Sequence, residues 1–508
     1  MQMNKLFFDV SIFLIADIFF LITFLVILLY SLKYIAKFNT TGLKDMVFFA
    51  VGLLMYQGTL IYQIISFNEL ENCNLSLFYL DITYLNLHVR LFIIIIAMFF
   101  YLLFYFYFYD LRDNNFKINY PYIEFILLTL ISVEAMQLLI MSNNLFTIYL
   151  LVELQSLCYY VLPALKRDSN ISIESALKYF INSSYVTVCY LFGCTIIYYL
   201  FGTLNVNEII LLTTFMEWDI YNTSLFTFGI ILILSLFFFK LALYPFHNWL
   251  LDIYEGSNLI VTSFFAILPK ISIIALLLNL LNMLSTLVIF KDNLCTLLQI
   301  VSCLTIVFAS TRAVTELTTR RLFAYSSMVN IGYIVLGMST GSIEGYAASL
   351  NYLILYTITN LCLFTFLTLV RFWEFDKTLL EAKKTVELVR VIKGSLQLTL
   401  LFTCLLFSMA GIPPFGGFFV KLPIFTELFY GGQYIILILV IFSNLITAFY
   451  YIRLIRTIAF STLVPVKFVF WNKFGYLTII LLISFFFIFF YFSFYGYILN
   501  YILYIIFK

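Results

Sequence analysis

The sequence predicts an all-α polytopic membrane protein, and three features carry that expectation. Of its 508 residues, 64% are hydrophobic and only 11% are charged. A soluble domain carries roughly 25% charged residues, so this chain has too little polar surface to cover itself. Its apolar runs repeatedly reach the ~20 residues that a helix needs to cross a hydrocarbon core. Those runs do not alternate: VRLFIIIIAMFFYLLFYFYFY, at 89–109, is apolar at successive positions from Leu91 onward. A transmembrane barrel would need strands of about 10 residues with alternating polarity. Every backbone group in lipid must be bonded within its own segment, so the runs are expected to be helices.

Taken in order, the apolar runs mark fourteen spans: 10–32, 46–66, 89–109, 122–141, 144–165, 171–201, 224–250, 259–284, 293–311, 321–340, 345–371, 396–430, 433–460 and 475–505. The first is too long for a cleavable signal and lacks a small-residue cleavage site. The longest polar connection, 372–395, is expected to form an interfacial helix. Loop charge tests the count. Loops after odd-numbered spans hold 21 of the 28 Lys and Arg, and the other side holds Lys5, Arg90, Lys291 and Lys508. A miscounted span would scramble that separation. By the positive-inside rule, the odd loops face the cytoplasm or matrix and both termini face the opposite side.

The chain is expected to be a single transmembrane domain over 1–508, divided into N-terminal helices (1–110), two five-helix repeats (122–285 and 293–460) and a C-terminal helix (475–508). SIESALKYF begins at Ser172 and SIEGYAASL at Ser342, an offset of 170; Pro245-Phe246 and Pro414-Phe415 are offset by 169. Each repeat would hold five spans, 4–8 and 9–13. An odd number makes consecutive units enter the membrane from opposite sides, the inverted-repeat plan of transporters.

Three basic residues remain inside spans: Lys240, Lys270 and Lys421. Glu153 lies mid-span in YLLVELQSLCYY, and Glu134 in LLTLISVEAMQLL. A charge at the bilayer centre costs about 2.5–3.5 kcal/mol on insertion scales, so several together point to an ion or proton pathway. The bland alternatives are snorkelling to an interface for the lysines and a hydrogen bond to a neighbouring helix for Glu134. Pro245 breaks span 7 beside Lys240, and GIPPFGG (411–417), with Pro413 and Pro414, breaks span 12 before Lys421. Broken helices at mid-membrane expose backbone groups that build hydrated ion sites; a plain structural kink is the competing account. Lysine suits proton transfer because burial disfavours its charged form and a nearby carboxylate restores it. His247 could relay protons or simply hold a span end, and His88, the other histidine, is expected in a loop.

The eight cysteines, at 73, 158, 189, 194, 295, 303, 362 and 404, include no C-x-x-C pair and no zinc or cluster spacing. They are expected to be small core residues, and no metal site is expected. The 60 Phe and 38 Tyr, with abundant Ile and Asn, suggest AT-rich codons and an organelle genome.

The segment FFFKLALYPFHNWLLDIYEGSNLIVTSFFAILPKISIIALL (237–277) resembles the proton-translocating, antiporter-like subunits of respiratory complex I. VELQSLCYYVLPALKRDSNISIESALKYF (152–180), RRLFAYSSMVNIGYIVLGMSTGSIEGY (320–346) and SMAGIPPFGGFFVK (408–421) extend the likeness over about 120–460. The resemblance implies that Glu153 is the fifth-helix glutamate, and that Lys240 and Lys270 are the lysines of helices 7 and 8. Lys421 would end the path at broken helix 12, and His247 would be the histidine of the PFH segment; Glu134 has no counterpart. Asn330 stands where the family often has histidine, so a relay there would use water or hydroxyls. The first 100 residues carry no specific motif.

The implied function is proton translocation through a Glu/Lys relay, driven by quinone reduction elsewhere in NADH:ubiquinone oxidoreductase. The implied site is the mitochondrial inner membrane. Flavin, iron–sulfur clusters and quinone would sit in partner subunits, no cofactor is expected in this chain although it could bind phospholipid, and other membrane and accessory subunits are the expected partners. No nucleic acid is expected as a partner. A stand-alone cation/proton antiporter of the same fold is the alternative, and a purely structural membrane subunit is a third reading.

Overall fold

The computed structural model describes residues 2–35, 42–66, 75–77, 80–113, 121–166, 169–215, 219–284, 288–373, 379–381, 383–392, 396–460 and 475–507. The expected helical architecture is present. In chain order the elements begin with α1 (Gln2–Ile35), α2 (Gly42–Ser66), the hairpin β1 (Leu75–Leu77) and β2 (Leu80–Ile82), α3 (Tyr84–Asp113), α4 (Tyr122–Met141) and α5 (Leu145–Ala164). Next come α6 (Asn170–Phe201), α7 (Val206–Phe215), α8 (Ile220–Leu241), α9 (Asn248–Gly256), α10 (Leu259–Leu284) and α11 (Val288–Thr315). There follow α12 (Thr319–Met338), α13 (Ile343–Leu369), β3 (Arg371–Trp373), β4 (Leu379–Glu381) and α14 (Thr385–Ile392). The chain finishes with α15 (Leu396–Ala410), α16 (Gly416–Tyr430), α17 (Tyr434–Phe460) and α18 (Gly475–Phe507).

Among the described residues, ten helices are long and apolar enough to cross a membrane: α2 to α6, α8, α10, α11, α13 and α17. The 372–395 connection is only partly helical. It opens with the antiparallel hairpin β3–β4, Arg371 opposite Glu381, and among its described residues helix is confined to α14. A pattern search tuned to helical periodicity has no means of finding a three-residue hairpin. The same applies to β1–β2, which pairs Leu75 with Ile82.

The chain separates into two compact units, one formed by Met1–Phe237 with Leu268–Leu287 and the other by Phe238–Ile267 with Val288–Phe507. In the first, α4 packs against α1, α2, α3 and α5, and its central stretch from Ser132 to Gln137 is buried. The α6 helix shows how a membrane chain is patterned. Its inner face carries Ser172, Ser175, Ala176, Ser183, Gly193 and Cys194. Its outer face exposes Ile181, Tyr185, Val188 and Tyr199. Small residues let helices approach closely, while large apolar ones meet lipid. Two side chains fix the entry to α5 and α13: Asn144 accepts from Phe146 N at 2.8 Å, and Ser342 from Gly345 N at 3.0 Å.

Asparagines near the ends of α3 and α10 tie the first unit together through Asp81, which lies outside the spans. Asn279 Nδ2 donates to Asn86 Oδ1 (2.8 Å) and Ile140 O (3.0 Å), and Asn86 Nδ2 donates to Asp81 O (3.0 Å). The Asp81 carboxylate accepts from Asn207 Nδ2 at 3.2 Å. Burial nevertheless pushes its pKa above the ordinary carboxylate value, the hydrogen bonds from Asn207 and Asn143 opposing it. A raised folded-state pKa means stability that is full at acid pH and is lost as pH rises through that pKa. Asp81→Asn keeps an acceptor for Asn207 and removes the buried charge. The variant should therefore match or exceed wild-type thermal stability at neutral pH, by about 1 kcal/mol or less, and lose its advantage at pH 4. A variant less stable at neutral pH than at pH 4, relative to wild type, would contradict this.

The second unit is built on α12, buried at every position from Leu322 to Met338. It packs between α11 and α13, and α17 and α18 pack outside them against α11 and α13 respectively. α12 is too polar to be among the ten spans by hydropathy, yet no helix is better enclosed. Being wrapped by other helices, it need not be apolar.

Candidate functional site: buried lysines at interrupted helices

The first interruption lies between α8 and α9. A proline in a helix clashes with the carbonyl four residues before it, and Leu241, the last residue of α8, is four residues before Pro245. The chain leaves the helix through Ala242 at φ 56°. Ala242 N then bonds Phe239 O and Leu243 N bonds Phe238 O, each at 2.9 Å. That pair of bonds around a left-handed residue is a common helix ending. Trp249 Nε1 adds a third donor, 2.9 Å from Phe239 O.

Lys240 is therefore in the last turn of α8 and is 7% exposed. The carbonyl end of a helix carries a partial negative charge, and Lys240 stands on the turn that carries it. The far end of α9 is anchored by Arg320 of α12, whose Nη1 donates to Ser257 O at 2.5 Å, while Arg321 forms an ion pair with Glu255. His247 is buried in the turn, its Nδ1 3.1 Å from Pro245 O and its ring 4.7 Å from that of Phe308.

The second interruption, between α15 and α16, repeats the construction. Gly411 takes φ 78°. Gly411 N bonds Ser408 O (3.0 Å) and Ile412 N bonds Phe407 O (3.3 Å). Ala242 and Gly411 are 169 residues apart, as are Pro245 and Pro414, and a cis peptide precedes each of those prolines. The lysines do not follow the same register: Lys240 precedes its turn residue by two positions, and Lys421 follows its own by ten.

Lys421 reaches the same kind of place by folding back. From α16 its Nζ donates to Ala410 O, the last residue of α15, at 3.3 Å, and to Asn444 Oδ1 of α17 at 2.8 Å. It also lies 5.1 Å from the Tyr333 ring centroid. Glycine suits position 411, because its φ strains an L side chain and a Cβ there would press on the Lys421 Nζ at 3.0 Å. Tyr333 stacks with Tyr352, centroids 6.0 Å apart, and the Tyr352 hydroxyl donates to Asn330 Oδ1 at 3.0 Å. A hydroxyl thus stands beside Asn330.

Lys270 is 1% exposed within α10, which runs unbroken through Pro269. Proline cannot bond the Phe265 carbonyl, so this helix too carries an irregularity directly beside its lysine. Glu153 lies half-buried on α5, where its Oε2 accepts from Ser156 Oγ at 2.8 Å. The structure brings Lys421 together with Tyr333 and Asn444, and His247 together with the α8–α9 turn. Glu134 is held elsewhere, among Gln57, Asp17 and Arg90.

Two expectations need correcting. Arg90 is not a loop charge: it is 1% exposed on α3 and ion-paired with Asp17 of α1. His88 is not in a loop but in the first turn of α3, its Nδ1 2.9 Å from Tyr84 O. In both cases α3 starts five residues before the apolar run, because YLNLH (84–88) is helical although only partly apolar. The sequence reading also missed Asn444, Asp17, Gln57 and Gln137, each an amide or carboxylate set in a largely apolar run. That isolation is the signal that could have found them.

Family models and relatives agree with this architecture. The model for the membrane region of NADH:quinone oxidoreductase and Mrp antiporter subunits matches residues 142–447. The chain belongs to that family of antiporter-like membrane subunits. Within the family it is similar to NADH-quinone oxidoreductase subunit N of Pelagibacter ubique, 34% identical over 414 residues, which is 81% of this chain and 83% of that one. It is also similar to NADH-ubiquinone oxidoreductase chain 2 of Marchantia polymorpha, 35% identical over 343 residues, or 67% and 68% of the two chains. A chain of respiratory complex I from Thermus thermophilus shares the fold, with TM-score 0.75 at 20% identity over 96% of this chain and 98% of that one.

Proposed function

We propose that this chain is the subunit 2 (subunit N) type of antiporter-like membrane subunit of NADH:quinone oxidoreductase, and that it moves protons in partnership with other membrane subunits of complex I. The observation that carries the reading is the similarity to subunits of that name over two thirds or more of both chains. The family model covers Mrp antiporters as well, but these relatives are oxidoreductase subunits, which makes a stand-alone antiporter the weaker reading.

The chain's work in this proposal is electrostatic rather than redox. Lys240, Lys270 and Lys421 hold and release protons, Glu153 biases Lys240, and His247 and the Tyr352 hydroxyl extend the path. Their burial and the interrupted helices beside them support these roles. Flavin, clusters and quinone belong to partner subunits, and this chain carries no cofactor of its own, bound phospholipid being the one ligand allowed for it. Fourteen spans in two inverted repeats are proposed for the membrane arrangement, supported by the matched helix endings 169 residues apart. The mitochondrial inner membrane is the proposed location, on the strength of the aromatic-rich composition. Odd loops would face the matrix and both termini the opposite side, following loop charge.

The test is purification in mild detergent, a native gel stained for NADH oxidation, and mass spectrometry of the active band. The chain is expected in a very large NADH-oxidising assembly. Migration alone, with cation-dependent transport in vesicles, would replace this reading with the stand-alone antiporter.

A further inference from the structure

The first four helices enclose a polar cluster that the lysine path does not use. Asp17 (α1), Gln57 (α2), Arg90 (α3), and Glu134 and Gln137 (α4) are all at least nine-tenths buried. Arg90 Nη2 pairs with Asp17 Oδ1, and Nη1 lies 2.9 Å from Met141 Sδ. Gln57 Nε2 bridges the two acids, 2.9 Å from Glu134 Oε2 and 3.4 Å from Asp17 Oδ1. Gln137 Nε2 donates to Gln57 Oε1 at 3.2 Å, which turns the Gln57 amine toward the carboxyls.

Two acids share one guanidinium here. Arginine stays charged in proteins, so with both acids ionised the cluster would carry an uncompensated buried negative charge, which is costly in a membrane. Donors are also short: Asp17 Oδ2 and Glu134 Oε1 have no hydrogen-bond partner among the described residues. Yet the Asp17 and Glu134 carboxyls lie within hydrogen-bonding reach of each other. Two carboxylates only accept, and a carboxyl with a carboxylate can bond.

Two charged residues on the other elements packed against α4 are engaged elsewhere, and Lys44 and Asp45 lie in the first turn of α2, far along the helix from Gln57. Glu153 of α5 accepts from Ser156, and Asp81 of β2 accepts from Asn207; α2 brings the neutral Gln57.

We propose that Asp17 and Glu134 jointly hold one dissociable proton, making a buried proton site in the N-terminal four helices that is separate from the lysine path. Arg90 compensates whichever acid is ionised, and Gln57 bonds both. The site's occupancy then depends on local proton supply, and its discharge would leave one net negative charge beside α4.

Infrared spectroscopy of the purified whole complex at neutral pH tests this, in light and heavy water. Removing either acid leaves the other to pair with Arg90 in ionised form. The difference spectra of wild type against Glu134→Gln and against Asp17→Asn should therefore both show loss of the same single protonated-carboxyl C=O band, shifted in heavy water. Carboxylate bands alone in the differences would mean that both acids are ionised, and would overturn the proposal. Loss of the band in Glu134→Gln but not in Asp17→Asn would assign the proton to Glu134 alone and overturn the sharing. If Glu134→Gln does not assemble, Asp17→Asn reads the same proton: band lost supports the site, band kept overturns it. The outcome is independent of the lysines, since a complex whose pumping survives Lys421→Met could still show this band.

Discussion

Lys421→Met is expected to give a complex that assembles and still passes electrons from NADH to artificial acceptors, but whose coupled quinone reduction and proton uptake fall roughly tenfold or more. Methionine matches the lysine stem closely, and the Nζ partners are a backbone carbonyl and an amide, Ala410 O and Asn444 Oδ1. Neither partner is a charge left stranded by the substitution, so the loss of stability is about that of one hydrogen bond, roughly 1 kcal/mol. The functional cost is of a different order. A side chain that takes up and delivers a proton typically contributes about 10²-fold or more, and methionine does neither. Proton translocation per NADH would be measured in proteoliposomes against electron transfer in the same preparation. Unchanged stoichiometry in assembled Lys421→Met complex would remove Lys421 from the path.

Gly417→Ala is expected to act on assembly rather than on proton transfer. A Cβ at Gly417 would collide with the carbonyl of Ser408, which is backbone in α15 and has no rotamer into which to retreat. Over-packing costs about 1–3 kcal/mol where side chains yield, and more where they do not. A loss of about 3 kcal/mol or more is therefore expected, seen as a severalfold fall in assembled complex on native gels and a lower melting temperature. Gly52→Ala is the control, with nothing within 4 Å of the new Cβ. That change should leave complex levels unaltered and add helix stability of about 0.5–1 kcal/mol. Equal effects from the two substitutions would show that the tight approach of α16 to α15 does not matter.

The parts of the site visible in sequence were those where one residue contradicts its surroundings. A lysine in LFFFKLAL needs no structure to stand out, and Pro245 marks a helix end four residues upstream by sterics alone. The 169-residue offset of the two interruptions was legible for the same reason, because proline and glycine act locally. What stayed hidden depends on pairing across the chain. Arg90 looks like a loop charge until α3 is seen to start early, and its partner Asp17 is 73 residues away. No local pattern joins Gln57 to Glu134, and no periodicity marks Asn444 as the acceptor for Lys421. Pro269 shows the limit from the other side. It reads as a breaker beside Lys270, yet α10 continues through it, held by burial on every side.

The helix end that receives Lys421 gives its ammonium a counter-charge that is made of peptide. A carboxylate partner would itself gain and lose protons, and would be stranded as a bare anion whenever the lysine gave up its own. Carbonyl dipoles do neither. They have no proton to exchange, they are fixed by the backbone, and they accept from a neutral amine as well as, more strongly, from a charged one. A lysine set against them can cycle between its two states while everything around it stays where it is.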